Sequence, residues 1–323
     1  MERGGALNPV VCPVCASKCP QRELCRAVFC FGSSHRLLGC THCGSSYFSP
    51  PPRHDDFRLF YSTHPYDFNR FSQVSRAQQI IRNHLQSRIT GNFLDVGCAT
   101  GYLLAEIQKQ TKWNVYGVEL VTKAAIFAKE KLHLEQVQNT DLHSANYPSE
   151  FFDVIHISEV MEHVADPYAL LAECRRILKP DGFFLLSLPN GVADRQGMID
   201  FANAEAGVAG HASGHIYFFS ELGLKHLLAR TGFRIESSQT AAFKQGLRTM
   251  GLFPKRRNWQ DMFRPRFAPE EAVSSEILEI QDLPPNRLVK LKYGLRNLIR
   301  VPEMHRFGLA WHLVCRASWP VNL

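Results

Sequence analysis

Two carboxylates and an imidazole stand at helical spacing in the stretch ISEVMEHVADP, which runs from Ile157 to Pro167. Glu159, Glu162 and His163 occupy positions i, i+3 and i+4, so a helix beginning here would gather them on one face. Such a face can bind a divalent ion, act as an acid/base pair, or simply put acidic residues at a helix N-terminus, which favours them. The stretch predicts a chemical site and leaves these three interpretations open.

Four cysteines near the start of the chain have the spacing of a metal site. CPVC provides Cys12 and Cys15, and CTHC, about two dozen residues later, provides Cys40 and Cys43. Four thiolates in this arrangement can close a tetrahedral zinc site that has no open position for chemistry. We therefore expect a structural zinc ion bound by these four residues.

The other early cysteines leave the ligand set open. Cys19 could present an alternative thiolate, and His42 could complete a Cys₃His site. The extra cysteines, Cys19, Cys25 and Cys30, could instead be small core residues of a very small domain. Seven of the ten cysteines fall before residue 44, and this clustering indicates metal binding in a reducing compartment rather than disulfides. We expect a zinc-ribbon-like Cys₄ module in a cytoplasmic protein.

The composition is that of an ordinary globular enzyme. Of the 323 residues, 45% are hydrophobic and 21% are charged, so disorder is not expected. There is no apolar run of about 18 residues, so a membrane span is not expected, and the N-terminus lacks the pattern of a signal peptide. A net charge of +7 permits an anionic acceptor or nucleic acid without requiring either.

A strand, a glycine-rich turn and a helix are predicted by GNFLDVGCATGYLLAEI. Gly97 and Gly101 would let backbone approach a ligand closely, and the following helix N-terminus offers unpaired amides. The pattern differs from the dinucleotide fingerprint G-x-G-x-x-G, because Asp95 ends the strand where a pyrophosphate would meet a negative charge. A carboxylate there suits a cation such as an α-ammonium group.

Two later strands also end in acidic residues. WNVYGVEL ends at Glu119, which could accept hydrogen bonds from both hydroxyls of a ribose. VQNTDLH ends at Asp141, which could meet an adenine amino group with Leu142 against the base. FFDVIHISE and LKPDGFFLLSLPN predict a fourth and a fifth strand. Strands alternate with helices, so we predict a doubly wound, mostly parallel α/β sheet.

The segment from about Asn92 to Thr240 resembles class I S-adenosylmethionine-dependent methyltransferases. The matching motifs, in the family's order, are LDVGCATG, VYGVEL, NTDLH, FDVIHISEVMEHV and LKPDGFFLLSLPN. The resemblance implies a Rossmann-like sheet of seven strands, the last one antiparallel, with S-adenosylmethionine as cofactor. It further implies these cofactor-binding residues: Asp95, Gly97, Cys98, Gly101, Tyr102, Glu119, Leu120, Asp141, Leu142 and Ser158. The sequence departs from the family's D-x-G-x-G-x-G loop in having Ala99 where the middle glycine often stands.

The resemblance also implies where the methyl acceptor lies. Glu159 would leave the sheet beside the transferred methyl, and Glu162 and His163 would belong to the first turn of the next helix. This stretch is similar to the region of ubiquinone-pathway O-methyltransferases that is thought to hold a divalent ion, so magnesium or a similar ion is expected as one alternative. GHIYFFSELGLKHLLARTGFRI resembles a segment that faces the substrate, which makes His211 and His215 candidates for acceptor contact or general base. The expected catalytic residues are Glu159, His163 and His215.

Four regions are expected along the chain. They are a zinc-ribbon-like module (1–48), a linker with a helical lid segment (49–90), the cofactor-binding core (91–240), and a C-terminal insertion with the last strand, which we expect to set specificity (241–323). SPPPRHDD marks the linker, and the aromatic FYSTHPYDF could cover a cleft or pack one domain on the next. Basic residues interleaved with aromatics in the insertion could bind phosphates, glycans or nucleic acid, or could belong to a solvated helical insertion with aromatic anchors, which is the interpretation that we favour.

The combination of these regions resembles bacterial enzymes that act on sugars, glycolipids or other small molecules. It predicts methyl transfer to an oxygen or carbon of a small-molecule, glycan-linked or lipid-linked acceptor. One alternative is RNA methylation. The sequence after the fourth strand argues against it, because it lacks the Asn- or Asp-Pro-Pro-aromatic element that suits methylation of base nitrogens. The other alternative is a non-catalytic zinc-ribbon binding protein whose methyltransferase core is a relic. The presence of all three acidic residues of the cofactor site, Asp95, Glu119 and Asp141, argues against it.

Overall fold

The computed structural model of the chain describes residues 6–30, 33–52, 70–204, 214–241, 301–305 and 309–318. Three features of the sequence lie outside these ranges: the segment FYSTHPYDF, His211 and most of the insertion between residues 241 and 306. The described residues form a small antiparallel sheet and a large mixed sheet. None of the helices in these ranges is long and apolar enough to cross a membrane.

The elements of the described ranges are as follows, in chain order. The strands are β1 (Ala6–Val11), β2 (Lys18–Cys30), β3 (Ser33–Cys40), β4 (Ser46–Ser49), β5 (Asn92–Val96), β6 (Asn114–Val118), β7 (Val137–Gln138), β8 (Phe152–Ser158), β9 (Leu178–Pro189), β10 (Tyr217–Phe218), β11 (Phe233–Ala241), β12 (Val301–Pro302) and β13 (Ala310–Ala317). The helices are α1 (Arg70–Ile80), α2 (Tyr102–Gln110), α3 (Thr122–Leu132), α4 (Pro167–Ile177), α5 (Gly191–Ala204) and α6 (Glu221–Arg230); a π-helical turn, Ile81–Leu85, follows α1.

The large sheet has the strand order β12-β11-β13-β9-β8-β5-β6-β7. The pairings among β5 to β9 are parallel, whereas β13 is antiparallel to both β9 and β11. In the central strands β5 and β8 both faces are covered, which explains their nearly continuous apolar sequences; Phe93, Leu94, Val154 and Ile155 are all 0% exposed. The predicted mostly parallel sheet with an antiparallel last strand is confirmed, and the short edge strand β12 adds an eighth member.

The small sheet has the order β1-β2-β3-β4-β10. Four of its strands come from residues 6–49, and the fifth comes from the segment that precedes α6. Tyr217 of β10 pairs with Tyr47, and Phe218 pairs with Ser46. One continuous hydrophobic core joins the two sheets and includes Phe48 and Phe218. A strand from late in the chain thus completes the sheet of the N-terminal module.

The segment between β8 and α4, which contains Glu159, Glu162 and His163, forms a turn and not a helix. The amide of His163 donates to the carbonyl of Val160 at 2.9 Å, and α4 begins only at Pro167. The Asp166 carboxylate accepts an amide of the first helical turn at 3.0 Å, and proline fits the first helical position because no amide is needed there. The expectation that Glu162 and His163 belong to the first turn of this helix is therefore wrong.

Candidate functional site

The four predicted zinc ligands meet in the β1–β2 and β3–β4 turns. The Sγ atoms of Cys12, Cys15, Cys40 and Cys43 all lie within 4.8 Å of one another. The Cys12–Cys43 and Cys15–Cys40 sulfur pairs are 4.0 and 3.8 Å apart. Ligands about 2.3 Å from a tetrahedral zinc ion are separated by about 3.8 Å, so the four sulfurs fit zinc as they stand. Burial raises the pKa of Cys40 to about 12, and a bound cation would reverse this by favouring the thiolate.

The two cysteine turns share one backbone geometry. The amides of Ala16 and Gly44 each donate to the carbonyl of the first cysteine of their pair at 2.9 Å. Both residues have left-handed backbone, with φ of 61° and 78°. The amide of Cys43 also donates to Cys40 Sγ at 3.5 Å, the kind of contact that stabilises a metal-bound thiolate. Two matching turns facing one point are what a shared ion requires.

Cys19 and His42 stand beside this cluster. Cys19 Sγ is 3.4 Å from Cys40 Sγ, although Cys19 is not one of the four mutually close sulfurs. His42 forms a different group with Cys15 and His226. Among the described residues, the group of four mutually close thiols is therefore the predicted one, without Cys19 or His42.

The glycine-rich loop joins β5 to α2 through residues with left-handed backbone. The φ angle is 73° at Gly97, 50° at Ala99 and 79° at Gly101. A Cβ on Gly97 would lie 2.5 Å from Val160 Cγ2, and one on Gly101 would lie 2.5 Å from Leu134 Cδ1. Glycine is needed at both positions by conformation and by space. Ala99 adopts the same backbone region at a cost of about 1 kcal/mol.

Glu119 fastens this loop to the end of β6. Its Oε2 accepts the amide of Ala99 and its Oε1 accepts the amide of Val121, both at 2.8 Å. The residue is only 3% exposed, and burial raises its pKa while the two hydrogen bonds oppose that rise. The carboxylate therefore has a definite orientation at the mouth of the loop.

Asp95 is paired with a histidine of the neighbouring strand. Asp95 Oδ1 lies 2.7 Å from His156 Nδ1, and both residues are buried. The Nε2 of His156 has no hydrogen-bond partner among the described residues. No local sequence pattern predicts this pair, since it depends on the register that sets Asp95 opposite His156 across β5 and β8.

The remaining predicted cofactor residues differ in exposure. Leu120 is 55% exposed, which suits an apolar contact with a ligand. Asp141 is also exposed, and its carboxylate accepts the amide and the hydroxyl of Ser144 at 2.9 and 2.8 Å. Three members of the set are buried: Cys98, Tyr102 and Leu142. Leu120 and Asp141 can meet a ligand with their side chains, whereas the buried three shape the site from behind.

The second half of the site begins where β8 ends. Ser158 pairs with Ser187 of β9, and Glu159 follows with a φ of 56°. A glutamate in left-handed backbone is strained, and such strain concentrates at functional sites. The Glu159 side chain is exposed to solvent at its surface, yet the protein packed around it raises its pKa by desolvation, while the charges of His215 and Arg76 lower it. Arg76, which also donates to Ser187 Oγ at 2.6 Å, was not anticipated from the sequence.

Glu162, His163 and His215 form a compact cluster next to Glu159. The Nε2 atoms of both histidines lie 3.9 Å from Glu162 Oε1, and the ring centroids are 4.6 Å apart. Glu162 is 1% exposed, and neither of its carboxylate oxygens has a hydrogen-bond partner among the described residues. Burial and the Glu159 charge raise the pKa of Glu162 well above its usual value. A carboxyl group in such surroundings needs a proton or a cation.

Each imidazole of this cluster is oriented through its other ring nitrogen. His163 Nδ1 lies 3.0 Å from the Gly214 carbonyl oxygen, and His215 Nδ1 lies 2.6 Å from Asp194 Oδ2. Burial lowers the pKa of His215, but the charge and hydrogen bond of Asp194, with the charges of Glu162 and Glu159, raise it to about 9. Asp194 was missed because no pattern connects the start of α5 with a segment some twenty residues later.

Comparison with known proteins identifies relatives of this region. A family model described as a methyltransferase domain matches residues 68–238. A ubiquinone biosynthesis O-methyltransferase of Haemophilus ducreyi is 34% identical over 121 residues, which are 33% of this chain and 51% of the relative. One of Cereibacter sphaeroides is 39% identical over 103 residues, which are 30% of this chain and 40% of the relative. The chain therefore spans about half, or less, of the length of these curated relatives.

One solved structure that resembles the chain is from Thermotoga maritima and is described as a possible histamine N-methyltransferase. It gives a TM-score of 0.45 at 16% identity and covers 82% of this chain and 94% of that one.

Proposed function

This chain belongs to the methyltransferase domain family, and from that premise we propose that it transfers a methyl group from S-adenosylmethionine to an oxygen or carbon of a small-molecule, glycan-linked or lipid-linked acceptor. The proposal rests on one observation: the glycine-rich loop fastened by Glu119 and the Glu162–His163–His215 cluster lie at the same edge of the large sheet. They do so because β5 and β8 are adjacent and parallel, so that both carboxyl ends open on one crevice.

The first half of the crevice suits the cofactor, which supplies an electrophilic methyl group on a sulfonium ion. The left-handed loop from Gly97 to Gly101 lets backbone approach a ligand closely. Each Glu119 oxygen has a second lone pair beyond the amide that it accepts, so the carboxylate can also take ribose hydroxyls. Asp141 would meet the adenine amino group, and the exposed Leu120 takes the place against the base that the sequence suggested for Leu142, whose side chain is buried. The other residues of this half are proposed to support the loop: Asp95, Cys98, Tyr102, Leu142 and Ser158.

The second half suits an acceptor that must lose a proton. Methyl transfer is mostly a matter of positioning, and a base is needed only when the nucleophile carries a proton. Glu159 has a raised pKa and is accessible to solvent, so it is the group proposed to take that proton. His215, with a pKa of about 9, is protonated at neutral pH and would stabilise the oxyanion or enolate that develops. His163 is proposed to orient the acceptor beside it.

A divalent ion is the alternative occupant of the cluster. One carboxylate oxygen and two imidazole nitrogens, each imidazole held from behind by an acceptor, form a ligand set with an outer shell. Nitrogen ligands suit manganese, iron or zinc better than magnesium, which prefers oxygen. Activity lost on chelation and restored by manganese, with the zinc of the cysteine site intact, would support this alternative. Unchanged activity after chelation would reject it.

We also propose that the four cysteines bind a structural zinc ion, as their sulfur spacing supports. A reducing cytoplasmic environment would keep those thiols free for the metal.

The test has two arms. Calorimetry of the purified chain with S-adenosylhomocysteine should give a saturable isotherm, and labelled S-adenosylmethionine offered to fractionated cell extract should label a small-molecule, glycan or lipid pool. Absence of cofactor binding would reject the whole proposal. Labelled methyl in RNA would retain the reaction and change the acceptor class, and binding without transfer to any pool would favour a relic core.

A further inference from the structure

We propose that the zinc-bound cysteine turns position His215, so that metal occupancy of the N-terminal module governs the acceptor side of the crevice and not its cofactor side. The inference rests on the proposed function insofar as it takes His215 and Glu162 as part of the acceptor site. The module would then have a role in the reaction that a general stabilising domain would not have.

The first link is the N-cap of α6. Ser220 Oγ donates to the Cys43 carbonyl at 2.5 Å and accepts the Gly223 amide at 2.9 Å. The Ser220 amide in turn donates to Ser45 Oγ at 3.0 Å. All of these groups are buried, and a Cβ on Gly223 would lie 2.1 Å from Ser45 Oγ. The N-cap residue of α6 is therefore bonded directly to Cys43, one of the four proposed zinc ligands, and to Ser45 in the same turn.

The second link is the strand that follows His215. Ile216 is hydrogen-bonded both to the N-terminal module and to the turn that contains Glu162. Its carbonyl accepts the Phe48 amide at 3.1 Å, and its own amide donates to the Glu162 carbonyl at 2.9 Å. The Tyr217 amide also donates to the Glu162 carbonyl, at 3.1 Å. Movement of β4 would therefore be transmitted to the backbone between Glu162 and His215.

The third link reaches the group that orients His215. Arg195, the neighbour of Asp194 on α5, donates to Ser46 Oγ at 3.1 Å and to the Gly44 carbonyl at 3.4 Å. Asp194 itself bonds His215 Nδ1. The module thus bonds to the residue next in sequence to each member of the Asp194–His215 pair.

The cofactor side has its own supports. The Gly97 amide donates to Val118, the Ala99 amide to Glu119, and the Glu119 amide to Gln138, all of which belong to the large sheet or its edge loops. Loss of the module's geometry should therefore leave cofactor binding in place, and this separation makes the inference testable.

The test compares the full-length protein with and without zinc by hydrogen exchange and by calorimetry. Zinc removal should speed exchange of residues 214–220 by about tenfold or more and leave residues 97–101 unchanged. The affinity for S-adenosylhomocysteine should stay within about twofold, while kcat for methyl transfer falls. Unchanged exchange over residues 214–220, or equal loosening of both segments, would overturn the inference.

Ser220→Ala separates the link from metal binding and from folding. This variant should keep one zinc per chain, yet it should show faster exchange over residues 214–220 and a lower kcat. Lys225→Ala, on the exposed face of the same helix, should match the parent protein. Parent-like exchange in Ser220→Ala would reject the link even if zinc-free protein fails to fold. Absence of cofactor binding in every form would reject the proposed function and leave the exchange result to decide the positioning role.

Discussion

Two buried glutamates of the site have opposite surroundings. Glu119 accepts two backbone amides, whereas neither oxygen of Glu162 has a hydrogen-bond partner among the described residues. The first arrangement stabilises a charged carboxylate, and the second disfavours it unless a cation or a proton is present. Glu119 is therefore a support of the loop, whereas Glu162 requires a proton or a cation beside it.

Glu119→Gln should weaken binding of S-adenosylhomocysteine by about 10- to 100-fold, since hydrogen bonds to a charged group contribute about 1.5 to 3 kcal/mol. A glutamine side chain has one acceptor oxygen and a donor NH₂ group, so it can keep only one of the two hydrogen bonds that Glu119 accepts from the Ala99 and Val121 amides. Calorimetry measures the change, and Glu135→Gln, at an exposed site, serves as the control. An unchanged Kd in Glu119→Gln would contradict a role in the cofactor site.

The free energy of unfolding should decrease as pH rises from about 6.5 to 9. His215 has its pKa raised from 6.5 to about 9 by Asp194, Glu159 and Glu162, with His163 packed on its ring. The folded chain binds this proton more tightly than the unfolded chain. The resulting stabilisation is therefore fully present below the pKa of His215 in the unfolded chain, and it is lost as the pH rises through the pKa of His215 in the folded chain. The raised pKa of Glu162 acts in the same direction.

In His215→Gln, the decrease in the free energy of unfolding over this pH range should be smaller than in the parent by about 3 kcal/mol, given about 1.4 kcal/mol per pKa unit. Urea unfolding of the variant and the parent at both ends of the pH range measures the difference. Parallel stability profiles would mean that His215 is not protonated preferentially in the folded protein.

At the scale of elements, the functional residues lie in connections whose geometry is set by the rigid elements beside them. The loop between β5 and α2 needs left-handed backbone at three positions, and the turn between β8 and α4 needs it at Glu159. The helix predicted from the spacing of Glu159, Glu162 and His163 does not form there, because Asp166 and Pro167 start α4 several residues later. The cluster forms instead by contact with β10 and α5.

Gly101→Ala should abolish measurable cofactor binding and lower the free energy of unfolding by about 1 to 3 kcal/mol. Its φ is 79° and an added Cβ would meet Leu134 at 2.5 Å, so both conformation and space oppose the change. Ala99→Gly, in the same loop, is the matched control and should bind as the parent does, because glycine accepts the φ of 50°. Denaturant unfolding and calorimetry report both effects, and equal behaviour of the two variants would refute the argument.

At the scale of the whole molecule, the small sheet and the large sheet share a core and a strand. β10 pairs with β4, and Arg230 of α6 donates to the Val14 carbonyl at 3.2 Å. The N-terminal module is therefore bonded to the later part of the chain at several points, and disruption of this module should affect residues beyond it.

The chain should carry one zinc ion, and Cys12→Ser should lose it. Loss of the ion should lower the Tm by roughly 10 °C, since a structural zinc site contributes several kcal/mol to folding. Elemental analysis and thermal unfolding measure the two quantities. Cys25→Ser, outside the four-sulfur group, should keep both zinc and Tm, and loss of zinc in that variant as well would contradict the assigned ligands.

The sequence by itself determined the fold class, the order of the strands along the chain and the four cysteines that meet. These properties depend on local signals: strand and helix periodicity, glycines at strand ends, and paired cysteines within two short turns. The antiparallel last strand, β13, was expected only from the resemblance to the methyltransferase family, because its partners β9 and β11 are far from each other in sequence.

Only the tertiary structure decided how the catalytic candidates are arranged. Glu162 and His163 are joined by His215, which is about fifty residues away in sequence, and His215 is oriented by Asp194 from another helix. The Asp95–His156 pair likewise follows from the register of β5 against β8. Contacts of this kind arise where elements pack, and packing depends on the shapes of both partners at once, so no local pattern of residues encodes them.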